Sequence, residues 1–191
     1  MRLLILLLIS ITPILGFGDQ GSSLNSDVED ESKYFLAFIS RESDGVGPGH
    51  AYVAWGVEDY EKQMSTGEAY GFYPQDGKAA WGVFKDVNGN ILNEAFNAPS
   101  KQVNNHLLLS IEKDVYDSTK EILNKWEQQE LKGELKYNLL SNNCINFVNN
   151  VALAAGLIVP ETDFQLPKLY LESLIHMNKM RPNPPSNMVV Q

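Results

Sequence analysis

The sequence predicts an α+β fold, an antiparallel sheet packed against helices. Between Tyr34 and Ile111 lie five short runs rich in aromatic and aliphatic residues, each bounded by Gly, Pro, Asn or Asp. From Lys113 onward the apolar residues recur at helical spacing instead. Strands therefore cluster first and helices follow, as expected when helices cover one face of an antiparallel sheet.

Tyr34–Ser40 (YFLAFIS) is an aromatic and β-branched run that reads as a buried strand. The turn-rich stretch DGVGPG, residues 44–49, follows. His50–Gly56 (HAYVAWG) is a second strand and Glu68–Tyr73 (EAYGFY) a third, joined by a loop from Asp59 to Ser65. Ala80–Asp86 (AWGVFKD) reads as a fourth strand, turned at Asn88-Gly89, and Asn105–Ile111 (NHLLLSI) as a fifth. In Lys113–Gln128, Val115, Thr119, Ile122, Leu123 and Trp126 gather on one side, which is a helical stripe. Tyr137–Ser141 is a connector. Asn143–Ala155 is a second helix with Ile145, Val148, Val151, Ala152 and Ala155 as its apolar face, Asn142 as N-cap and Gly156 just past its end. Pro167 opens a last helix, with Leu171, Leu174 and Ile175 facing inward.

The ends have a different character. Residues 1–18 carry Arg2, an apolar run from Leu3 to Leu15 and small residues at Gly16 and Gly18, the pattern of a secretory signal peptide. The run is shorter than the roughly 20 residues that span a bilayer, and Pro13 interrupts it, so no stable membrane insertion is expected after cleavage. The polar, acidic stretch 19–32 reads as a disordered linker and 181–191 as a tail, leaving 33–180 as the folded domain. Export implies a secreted or periplasmic protein.

Removing the leader with its Arg2 takes the net charge from −9 to −10. Such a chain lacks the basic footprint of a nucleic-acid binder and has no attraction to anionic membranes. One cysteine and three scattered histidines offer no metal-ligand spacing, and no phosphate-binding glycine loop occurs, so neither metal nor cofactor is expected.

The lone cysteine is unusual for an exported chain, whose thiols are normally paired. Cys144 falls at the start of a predicted helix, where unpaired N–H groups and the dipole favour an anion. A thiol there has a lowered pKa, and the thiolate is the nucleophile. The same N–H groups can receive an oxyanion, with Asn143 as a candidate for further support. A base is then required. His50 opens a strand beside the glycine loop, at the sheet end where a side chain can meet a helix terminus. His106 and His176 read as packed or surface residues. Glu68 and Tyr70, on the neighbouring strand, are candidates for orienting His50.

The segments GHAYVAWG, EAYGFYP and YNLLSNNCINFVNNV, in that order, resemble the circularly permuted papain-like enzymes, relatives of the NlpC-type cell-wall peptidases and of lecithin:retinol acyltransferase. In that group the histidine strand precedes a helix-opening motif much like N-C-x-x-F-V. Asn143, Cys144, Phe147 and Val148 match the motif, and Gly49-His50 matches the histidine strand. The resemblance implies a permuted papain-like fold and a secreted cysteine hydrolase. Its substrate would be a peptide or amide, with cell-wall peptides among the candidates, and Cys144 would form an acyl-enzyme with His50 as base. An acyltransferase or lipid hydrolase of the same fold, and an inactive binding module with a structural cysteine, are the alternatives.

Overall fold

The computed structural model describes residues 32–42, 47–59, 62, 64–75, 85–94, 103–163, 165–180 and 188–190. All belong to the unit Glu31–Gln191. The leader 1–18, and the linker 19–32 apart from Ser32, lie outside the described residues.

The architecture is α+β. Strands β1 (Lys33–Arg41), β2 (His50–Asp59), β3 (Met64–Pro74), β4 (Val87–Asn93) and β5 (Val103–Ile111) come first. Helix α1 (Lys113–Leu131), strand β6 (Lys136–Tyr137), helices α2 (Cys144–Ala154) and α3 (Pro167–Lys179) and strand β7 (Met188–Val190) follow. The strands form an antiparallel sheet in the order β6-β4-β3-β2-β1-β5-β7.

Strand alternation sorts the residues into two faces. Leu36 and Phe38 of β1, Val53 and Trp55 of β2, Phe72 of β3 and Leu107 of β5 are buried. They pack against the inward stripes of the helices, including Leu123, Trp126, Ile145, Phe147 and Leu171. Phe72, Trp126 and Phe147 form an edge-to-face aromatic chain, with centroids 4.8 and 5.3 Å apart. Trp55 Nε1 donates to Thr119 Oγ1 at 3.0 Å, so the buried indole has its partner.

The other face begins with Arg41, His50 and Tyr52. Arg41 lies directly opposite His50 across β1 and β2. Gly49 sets that position. Its φ is +83°, and a Cβ there would lie 2.6 Å from the Arg41 carbonyl oxygen. Only glycine permits this approach, which closes the β1–β2 connection with His50 as the first strand residue.

Four expectations differ. Asn88 and Gly89 lie within β4 instead of in a turn, because Gly89 pairs with Pro74 on β3 and its N–H donates to Leu135 at 3.0 Å. Of the segment expected as the fourth strand, residues 80–84 lie outside the described residues, and Lys85 and Asp86 are not strand. The N-cap of α2 is Asn143, not Asn142. Within the expected tail, Met188–Val190 pairs with β5 as β7. β5 would otherwise offer an open edge of N–H and C=O groups, which a short β-branched segment can satisfy. Among the described residues no helix is long and apolar enough to cross a membrane.

Candidate active site

Cys144 is the first residue of α2, and its position depends on the cap before it. Asn143 Oδ1 accepts from the Ile145 N–H at 2.8 Å, and Asn146 Oδ1 accepts from the Asn143 N–H at 2.9 Å. This reciprocal capping box anchors the first turn. Asn143 Nδ2 donates to the Leu139 carbonyl at 2.8 Å, which ties the cap to the preceding turn. The Asn143 amide thus holds the helix start that carries Cys144. Asn143→Ala is expected to lower stability by about 1 kcal/mol, measured by urea denaturation.

The Cys144 side chain lies beside the His50 ring, close enough for each to shift the other's ionisation. His50 Nε2 lies 3.0 Å from Glu94 Oε1, so Nδ1 is the ring nitrogen left for the sulfur. Glu94 directly follows β4 and is buried. Tyr73 Oη donates to Glu94 Oε1 at 2.8 Å, and Arg41 Nη1 lies 2.9 Å from Glu94 Oε2. That last contact is a charge contact off the hydrogen-bond direction, since Oε2 accepts no hydrogen bond. Arg41 Nη2 donates to Tyr73 Oη at 2.5 Å. The Tyr73 ring stacks on His50 with centroids 4.1 Å apart. Cysteine, histidine, glutamate and arginine therefore form a buried line, with Tyr73 bracing its middle.

The electrostatics follow from this line. Burial raises the pKa of the Cys144 thiol, but the hydrogen bond and charge of His50, with the backbone N–H groups of Ala51 and Ile145, outweigh it and hold the thiol below its ordinary value. Burial disfavours the His50 cation, but Cys144 and Glu94 reverse that and raise its pKa. Burial also works against the Glu94 carboxylate, yet His50, Tyr73 and Arg41 keep it below the usual range. Tyr73 is pushed far upward by burial and then by Glu94, so it stays a neutral donor.

Of the residues singled out from sequence, Cys144 and His50 are brought together. Glu68 and Tyr70 are not at His50. The register of β2 and β3 sets Tyr70 opposite Val53 and Glu68 opposite Trp55, at odd offsets from His50 and hence on the other face. Glu68 pairs with Lys120 at 2.5 Å, and Tyr70 packs on Trp55. His176 is exposed, and His106 is half-buried on β5. The partner of His50 is Glu94, which sequence reading passed over. Its signal was a lone carboxylate in the apolar stretch Ile91-Leu92-Asn93-Glu94-Ala95-Phe96. That signal gained meaning only once β4 was paired with β3. Among the described residues no group of three or more His, Cys, Asp or Glu is placed to hold a metal ion.

The arrangement favours the thiolate of Cys144 and a protonated imidazole beside it. The chain matches no family model, and neither a curated protein nor a solved structure is similar to it.

Proposed function

We propose that the protein is a secreted or periplasmic cysteine hydrolase, an amidase or peptidase with a permuted papain-like fold. The observation that carries this reading is the pairing of Cys144 at a capped helix start with His50, whose second nitrogen is held by Glu94. A structural cysteine needs no such partner. A nucleophile needs a base, and the base needs a group to orient it.

The Cys144 thiolate attacks the amide carbonyl carbon, and the C=O electron pair moves to oxygen. The oxyanion is met by the Cys144 N–H in the first turn of α2. His50 gives its Nδ1 proton to the leaving nitrogen, the C–N bond breaks, and a thioester remains on Cys144. Water then loses a proton to His50 and attacks the thioester, releasing a carboxylic acid and restoring the thiolate. Glu94 keeps the ring oriented throughout and supports its positive charge. The substrate class is a peptide or amide outside the cytoplasm, with cell-wall stem peptides within that class.

Iodoacetamide alkylation of Cys144 followed against pH tests the reading. The wild type is expected to react well below the ordinary thiol pKa of about 8.5, and His50→Ala to lose that reactivity. A wild-type rate titrating at the ordinary value, unchanged in His50→Ala, overturns it.

A further inference from the structure

We infer that Arg41 is a positioning residue whose guanidinium offsets the charge of Glu94, leaving the His50 imidazolium to be balanced by the Cys144 thiolate. The inference deepens the hydrolase reading and rests on it.

Four ionisable groups stand in line: Arg41, Glu94, His50 and Cys144. Arg41 and Glu94 are 7 % and 6 % exposed and Cys144 6 %, so bulk water does little to screen them. With all four ionised the line carries no net charge. Without Arg41 the same state would hold one uncompensated negative charge in a buried site. The alternative is then preferred: Glu94 alone balances His50, and Cys144 keeps its proton. Arg41 thus decides whether the histidine charge is answered by the carboxylate alone or by the thiolate as well.

Geometry supports this division. Arg41 and His50 approach Glu94 from different oxygens, Oε2 and Oε1. Tyr73 bridges them by donating to Oε1 and accepting from Arg41. The Arg41 guanidinium also lies 5.4 Å over the Tyr52 ring, which helps fix its plane. Among the described residues, the other titratable groups facing the line are the phenols Tyr52 of β2, Tyr73 of β3 and Tyr137 of β6. Burial pushes all three upward, so they add no charge. Glu42, next to Arg41 in the chain, is exposed and lies 3.7 Å from Lys168 of α3.

The test is the acid limb of iodoacetamide alkylation, compared for wild type, Arg41→Met, Arg41→Lys, Glu94→Gln and Tyr73→Phe. Loss of the Arg41 charge is expected to move the limb upward by about one pH unit, a roughly tenfold slower reaction on the limb. Arg41→Lys is expected to return the rate to within about threefold of wild type, and Tyr73→Phe to slow it about threefold. Glu94→Gln removes a negative charge and is expected to move the limb downward. Opposite shifts from Arg41→Met and Glu94→Gln mark charge compensation, because damage to packing would move both toward the ordinary thiol value. A wild-type limb in the ordinary thiol range overturns the hydrolase reading and this inference with it. A lowered wild-type limb that Arg41→Met leaves in place, or that both variants raise, overturns this inference alone. If Arg41→Met does not fold, Tyr73→Phe decides, and an unmoved limb there overturns the inference.

Discussion

Gly71→Ala is expected to slow alkylation of Cys144 at pH 6 about a hundredfold while the sheet stays folded. Gly71 is on β3, opposite Tyr52 on one side and Leu92 on the other. A Cβ there would lie 2.3 Å from Glu94 Oε1 and 2.4 Å from His50 Nε2. Those two atoms are hydrogen bonded at 3.0 Å, so the added methyl would enter the bond itself. Neither partner has an easy retreat. Glu94 is held by Arg41 and Tyr73, and the His50 ring is stacked on Tyr73. A shift of the ring by about 1 Å removes the alignment with sulfur and lets the thiol pKa climb back toward its ordinary value. Forcing a methyl into a filled site costs about 1–3 kcal/mol, which thermal denaturation can read separately. Wild-type alkylation kinetics in Gly71→Ala would show that the His50–Glu94 contact does not govern the thiol.

Cys144→Ala is expected to abolish amide hydrolysis, by about 10⁴-fold or more, and to prevent any acyl-enzyme adduct detectable by mass spectrometry. Stability is the informative companion measurement. Cys144 is buried at the edge of the core, and a cysteine there that only packed would leave a cavity on truncation. A nucleophile held as a buried anion imposes a cost of its own, which alanine relieves. The unfolding free energy of Cys144→Ala is therefore expected within about 1 kcal/mol of wild type, with activity gone. A strongly destabilised variant would instead favour the structural cysteine of a binding module.

The parts of the fold readable from the chain are those with local causes. The stripe Ile145, Val148, Val151 and Ala152 follows helical spacing, and all four residues are buried. The alternation in Leu36 and Phe38 and in Val53 and Trp55 follows strand spacing, and all four are core residues. Cys144 at a helix start and His50 after a glycine were legible for the same reason. β4 was not. Asn88-Gly89 carries a strong local turn preference, and pairing with β3 overrides it. That single displacement hid Glu94, because a residue placed in a loop has no assigned neighbour.

Local chemistry along the chain was sufficient to specify an α+β protein with one thiol at a helix terminus and one histidine at a strand start. Composition set its acidic character, and periodicity set which faces are buried. What surrounds His50 was decided only by the tertiary structure. Arg41, Tyr73, Gly71 and Glu94 come from β1, β3 and the end of β4, and register brings them to one end of the sheet. Register is a collective property of paired strands, and a slip of one residue would turn each of these side chains to the other face. A helix start announces itself within four residues of sequence. A buried charge line has meaning only once four distant segments have been packed together and water has been removed from between them.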